Sequence, residues 1–149
     1  MDRETHRLIL ELMERHNLCT LATMREDGWP QATTVTYAND GLTLYVATGV
    51  DAQKVHNIRR WEKVSLTIDH DTPDWNAIQG LSMAASAQVL RSPSDILHAA
   101  RLLKKKFPPL AELGKPEIDP GWAFLKLVPK VISVIDYTRG FGHTLLVRL

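Results

Sequence analysis

Three strand-like runs separated by two glycine-containing turns place the strongest constraint on the fold of this chain. Residues 18–25, 30–38 and 42–47 alternate apolar with polar side chains or carry β-branched residues in succession. Asp27-Gly28 and Asn39-Asp40-Gly41 lie between these runs. Short turns of this composition connect neighbouring antiparallel strands. The pattern therefore predicts an antiparallel meander of three strands.

The rest of the chain adds strands more often than helices. Further strands are predicted at residues 63–69, 77–91, 121–128 and 130–137, with Pro129 as the break between the last two. Helices are predicted at residues 2–16, at 51–61 and from Ser92 to about Phe107. Six or seven strands with three helices and no β-α-β alternation favour a mainly β fold. Because closure removes exposed sheet edges, we expect an antiparallel barrel that forms one domain over residues 1–149.

Composition limits the partners and the compartment that we expect. The net charge of +1 gives no general attraction to nucleic acid or to an anionic membrane. Cys19 is the single cysteine, so no disulfide forms within the chain, and the charged N-terminus lacks the apolar run of a signal peptide. We therefore expect a cytoplasmic protein without a membrane or nucleic-acid partner.

The stretch from Leu42 to Trp61 passes from a strand into a helix and carries polar groups at the junction. We expect Asp51 to cap this helix, with Thr48, Gln53 and Lys54 close to its first turn. Unpaired backbone N–H groups, the helix dipole and a lysine together favour an anion. The stretch thus predicts a site for a cofactor phosphate, and the alternative is a solvated lysine on an amphipathic helix.

Two other groups of residues have both a functional and a structural interpretation. Thr33, Thr34 and Thr36 can offer hydroxyls and backbone groups to a flat heteroaromatic ring, or they can reflect strand propensity alone. Trp122 can cover such a ring or belong to the core. The six histidines show no H-x-x-x-H or H-E-x-x-H spacing, so no metal site is predicted.

Four segments in this order resemble a known family: LATMREDGWPQATTVTY, LYVATGVDAQKVHNIRR, VSLTI and WAFLKLVPKVISVID. Over roughly residues 5–137 the chain resembles the FMN-binding split β-barrel proteins, and most closely the pyridoxamine 5'-phosphate oxidase-like superfamily. The resemblance implies a homodimer with two FMN sites at its interface and a small-molecule substrate. It also implies that the cofactor-binding residues are Thr33, Thr34, Val35, Thr36, Thr48, Gln53, Lys54, Gln79 and Trp122, with Trp122 directed toward the flavin of the facing protomer.

The chain departs from the oxidase pattern where the oxidase holds its substrate. Thr33 replaces an arginine, Gln53 replaces the arginine that accompanies the phosphate lysine, and DYTRGFGH replaces the arginine- and histidine-bearing C-terminal motif. The resemblance therefore implies a small FMN-dependent oxidoreductase with an unassigned substrate and no identified catalytic side chain. The alternatives are a reductase that uses the deazaflavin F420, and a non-catalytic flavin or haem carrier in which His143 is the candidate axial ligand.

Overall fold

The fold is a single antiparallel sheet with three α-helices packed around it. A computed structural model of the chain describes residues 1–149. The helices are α1 (Arg3–Arg15), α2 (Gln53–Arg60) and α3 (Pro93–Lys106). The strands are β1 (Leu18–Met24), β2 (Pro30–Thr36), β3 (Ala38–Asp40), β4 (Thr43–Gly49), β5 (Lys63–Ile68), β6 (Gln79–Val89), β7 (Trp122–Asp136) and β8 (Thr144–Arg148). The predicted mainly β, antiparallel architecture is confirmed.

The order of the strands shows how the sheet curls. It runs β2-β1-β5-β6-β7-β4-β3, and β8 adds to β7. The two ends of this path, β2 and β3, are consecutive in the chain and are separated only by Tyr37. The Tyr37 side chain is fully buried, and its hydroxyl donates a hydrogen bond to the Met13 carbonyl at 2.7 Å. The sheet therefore bends back toward itself as a split barrel, with its seam at this tyrosine.

The core fills the inside of the curled sheet. Val64, Leu66 and Ile68 alternate along β5 and are buried, as their spacing predicts. Helix α1 contributes Ile9, Leu12 and Met13 to the same cluster, while α3 covers a smaller cluster with Ala99, Ala100 and Leu103. No helix is both long and apolar enough to cross a membrane.

The predicted three-stranded meander is wrong. β1 and β2 form the expected hairpin, but β4 pairs with β3 and β7 and not with β2. The cause is Tyr37, which interrupts the run of residues 30–38 because its buried ring and its bond to α1 turn the chain out of β2. The run therefore divides into two strands at opposite ends of the sheet order.

The predicted break at Pro129 is also wrong, because β7 continues through it. Ala85 of β6 lies opposite Pro129, and the next pair joins Ala84 to Val131, so Lys130 is an extra residue in a β-bulge. A bulge tolerates the missing N–H of proline. The C-terminal segment forms β8 on β7, so the sheet has eight strands and not six or seven.

Candidate functional site

The first turn of α2 carries a lysine that forms no ion pair within the chain. The helix begins behind Ala52 and not behind Asp51 as predicted, because the Ala52 N–H bonds to the Gly49 carbonyl in a preceding turn. No side chain caps the helix, and its first turn holds no carboxylate. Lys54 is half-buried in that turn and forms no ion pair. A lysine at this end opposes the helix dipole, so an anion would be bound favourably here.

The end of β4 leads directly into this helix. Thr48 is half-buried, and its neighbour Gly49 is the β-ladder partner of Trp122, the first residue of β7. The Val50 N–H donates to the Gly121 carbonyl at 2.9 Å, which fixes the turn between β4 and α2. The predicted phosphate residues Thr48, Gln53 and Lys54 therefore lie on one short segment that runs from the end of β4 into the first turn of α2.

An amide network fastens the first turn of α2 to the β1–β2 hairpin. The Gln53 Nε2 group donates to Asn57 Oδ1 at 2.8 Å, and Asn57 Nδ2 donates to Thr23 Oγ1 at 2.9 Å. Asn57 Nδ2 also lies 3.5 Å from Gln31 Oε1. Thr23 and Gln31 face each other across β1 and β2. Sequence reasoning missed Asn57, although a polar residue four positions after Gln53, among buried Val55 and Ile58, is a usable signal.

Strand β2 presents unused hydrogen-bonding groups. It lies at one end of the sheet order and pairs only with β1, so alternate backbone N–H and C=O groups face away from the ladder. Thr33 and Val35 lie on its half-buried face, and Thr34 and Thr36 on its exposed face. The Thr33 hydroxyl is buried without a hydrogen-bond partner. Such orphans are rare in folded proteins, so this one indicates a position where a ligand group or water belongs.

Gln79 and Trp122 lie on two other surfaces of the chain. Gln79 accepts a hydrogen bond from Arg15 at 3.3 Å and donates one to Asp136 Oδ1 at 3.1 Å. With Thr34 it lines a cleft of about 510 Å³. Trp122 and Thr36 instead line an apolar groove of about 470 Å³ below α3. A single chain therefore distributes the predicted residues over three surfaces and does not gather them in one pocket.

A match to a known family covers this whole arrangement. Residues 5–136 match the sequence profile described as pyridoxamine 5'-phosphate oxidase. This chain belongs to the pyridoxamine 5'-phosphate oxidase family. The predicted resemblance is thereby confirmed. A comparison with curated protein sequences gives no significant match.

Solved structures from this oxidase family and beyond share the fold. A candidate pyridoxamine 5'-phosphate oxidase from Listeria innocua is 25% identical, with a TM-score of 0.73 over 89% of this chain and 98% of that chain. A protein related to general stress protein 26 from Clostridium acetobutylicum is 17% identical, with a TM-score of 0.75 over 100% and 97%. A haem-binding protein from Mycobacterium smegmatis is 16% identical, with a TM-score of 0.82 over 99% of this chain and 59% of that chain.

In this member of the oxidase family, the one cysteine is not a nucleophile. Cys19 borders the cleft that Thr34 and Gln79 line, but its side chain is buried. Burial raises the pKa of the Cys19 thiol to about 12, which keeps it protonated at neutral pH. Cys19 belongs to the core, and the cleft contains no activated thiol.

The carboxylate beside Gln79 is held in its charged form. Burial alone would raise the pKa of Asp136, but hydrogen bonds from Thr138 and Gln79 outweigh it and lower that pKa below the usual range. Asp136 is therefore a fixed acceptor that orients the Gln79 amide, and not a proton donor at neutral pH.

Proposed function

We propose that this protein binds FMN and acts as a small flavin oxidoreductase, as a homodimer with the cofactor at the interface. Two features together support the proposal. Helix α2 begins with a lysine and without a side-chain cap, and strand β2 carries the Thr33 hydroxyl, which is buried without a hydrogen-bond partner. Lys54 and the α2 N–H groups suit a phosphate, and β2 with Thr33 suits a polyol chain and a heteroaromatic ring. Family membership independently favours a flavin.

The residues fit the chemical parts of FMN. Thr48, Gln53 and Lys54 would hold the phosphate, and residues 33–36 of β2 would bind the ribityl chain and the ring edge. Bound FMN supplies reversible electron acceptance at its ring, and the protein contributes binding, orientation and hydrogen bonds. With the Cys19 thiol protonated and Asp136 fixed as an acceptor, these two groups offer no proton transfer near the site at neutral pH.

The separation of the predicted cofactor residues on different surfaces of one chain supports the proposed dimer. The edge of β2 needs a cover, and Gln79 and Trp122 line surfaces other than the α2 turn. A second chain across β2 would cover the edge and add its own Trp122 to the flavin site. Light scattering of the purified protein, with and without FMN, measures this assembly directly.

Haem is the second candidate because a structure of similar fold is described as a haem-binding protein. His143, the candidate axial ligand, is exposed in the turn before β8. The cavity that it borders is only about 20 Å³ and has no room for a porphyrin. This cavity size argues against His143 as the axial ligand of a haem enclosed by this chain. F420 would use the same phosphate site, and its absorbance spectrum distinguishes it from FMN.

The first experiment is a titration of the cofactor-free protein with FMN, followed by flavin fluorescence and absorbance. We expect binding in the micromolar range or tighter, and about a tenfold loss of affinity in Lys54→Ala. Arg59→Ala is the matched control because it removes an exposed cation from the last turn of the same helix. Its FMN affinity should equal that of the wild type.

Two results would overturn the proposal. One is a wild-type protein that does not bind FMN while it binds haem or F420 in parallel titrations. The other is equal loss in Lys54→Ala and Arg59→Ala, which would remove the α2 start from the site. Turnover with NAD(P)H and an artificial acceptor then separates an enzyme from a carrier.

A further inference from the structure

We infer that Asn57 is a positioning residue that sets the phosphate site against the strand that holds the rest of the cofactor. The inference rests on the proposed function. Asn57 is only 2% exposed and lies one turn along α2 from Gln53. Among the predicted cofactor residues its side chain hydrogen-bonds only to Gln53, so its action on a ligand passes through that side chain.

The Asn57 amide is hydrogen-bonded at both ends. Its Oδ1 atom accepts from Gln53, and its Nδ2 group donates to Thr23 Oγ1 and lies near Gln31 Oε1. Thr23 is itself 3% exposed. Both ends of this buried amide are therefore occupied, which holds the Asn57 side chain between α2 and the β1–β2 hairpin.

This arrangement has a direct consequence for Gln53. One hydrogen of its Nε2 group is used by Asn57, so the second hydrogen and the Oε1 atom remain for other partners. Gln53 is exposed, and it follows the uncapped Ala52 at the start of the helix. Asn57 thus holds the Gln53 amide, which precedes Lys54 in the sequence, at the position where the family resemblance places an arginine.

The same amide also connects two parts of the proposed site. Gln31 and Thr33 lie on the same face of β2, since side chains two residues apart in a strand point the same way. Asn57 therefore links the first turn of α2 to the strand with the orphan hydroxyl. A shift of this link would change the separation between the phosphate site and the ring site.

The test compares FMN with riboflavin, which lacks the phosphate. Dissociation constants for both ligands are measured by flavin fluorescence for the wild type, Asn57→Leu and Thr23→Val. We expect Asn57→Leu to weaken FMN binding about tenfold and riboflavin binding by less than about twofold. Thr23→Val should shift the ratio of FMN to riboflavin affinity in the same direction by a smaller factor. Because this substitution nearly conserves side-chain volume, it provides the test if Asn57→Leu fails to fold.

A matched core variant separates positioning from general destabilisation. Val134→Ala removes buried volume from β7, where Val134 faces Leu81 and Leu145. It should lower the melting temperature but leave the ratio of FMN to riboflavin affinity unchanged. If Asn57→Leu and Thr23→Val also keep the wild-type ratio, Asn57 is purely structural and this inference fails alone. If the wild type binds neither flavin, the proposed function fails with it.

Discussion

The starts of α1 and α2 are built in opposite ways within one chain. At α1, Asp2 caps the helix by accepting from the Thr5 N–H at 2.8 Å and from the Thr5 hydroxyl at 3.0 Å, and Glu4 lies in the first turn. At α2, Ala52 offers no side-chain cap and Lys54 replaces the carboxylate. The N-terminus of α1 thus has both a side-chain cap and a first-turn carboxylate, whereas the N-terminus of α2 has neither.

The difference indicates that the start of α1 stabilises the helix itself, whereas the start of α2 is suited to bind an anion. A cap and a first-turn carboxylate are the common solution to the unpaired N–H groups of a helix. Their absence at α2 has a cost in stability that other contacts offset, among them the bonds of Asn57 and the packing of buried Val55 and Ile58. A bound phosphate would supply the missing charge, so the helix start is less stable alone and more stable in complex.

Reversing the charge at residue 54 should produce the largest effect. In Lys54→Glu the carboxylate suits the helix dipole, so the protein without ligand should gain roughly 0.5 kcal/mol in free energy of unfolding. FMN affinity should fall by at least about 100-fold, because attraction becomes repulsion. Urea unfolding and FMN titration of the same preparation measure the two quantities, which should move in opposite directions.

Arg59→Glu is the control for that reversal. It makes the same charge change on α2, but in the last turn, where a carboxylate opposes the dipole. Stability should fall slightly and FMN affinity should stay the same. A Lys54→Glu protein that retains FMN affinity would show that the start of α2 resembles that of α1 in function despite its different composition.

Two threonines, Thr5 in α1 and Thr33 in β2, allow a second contrast. The Thr5 hydroxyl is bonded to Asp2, whereas the Thr33 hydroxyl has no partner. Thr5→Val should therefore destabilise the protein and leave flavin binding unchanged. Thr33→Val should stabilise the cofactor-free protein by ~1 kcal/mol, because it removes a buried unpaired group, and weaken flavin binding several-fold.

Thermal unfolding of both variants, with and without FMN, measures this contrast. FMN should raise the melting temperature of Thr33→Val less than that of the wild type, because the stabilisation depends on affinity. A cofactor-free Thr33→Val protein that is less stable than the wild type would mean that the hydroxyl is already satisfied by water.

The sequence predicted local features well where a single period or motif decided them. Val64, Leu66 and Ile68 alternate as expected, and α3 begins with Pro93 behind Ser92. Prediction failed where a distant contact decides the structure. Tyr37 ends β2 because of its bond to Met13, which lies 24 residues earlier, and Pro129 stays in β7 because β6 accommodates a bulge.

The same distinction applies to the site. Thr48, Gln53 and Lys54 are neighbours in sequence, so their grouping could be predicted from spacing. Asn57 and Thr23 lie 34 residues apart and meet only after the hairpin and α2 pack together. The orphan state of the Thr33 hydroxyl likewise depends on what surrounds it and not on the threonine run. The parts of the site that depend on contacts between residues far apart in the sequence could therefore not be predicted from the sequence pattern.

The smallest expected effect concerns acid sensitivity at α1. The backbone N–H of Thr5, and next its hydroxyl, lower the pKa of Asp2 below its usual value. A lowered pKa in the folded state means that this cap stabilises the protein above the ordinary aspartate range, and that its contribution is lost as pH falls through the folded pKa. Asp2→Asn keeps an oxygen acceptor that does not titrate, so it should remove this part of the acid dependence. Unfolding midpoints of both proteins across acidic pH measure the difference, and equal slopes of midpoint against pH would contradict it.

Because α2 has no carboxylate in its first turn, its start should show no corresponding acid-dependent loss of stability.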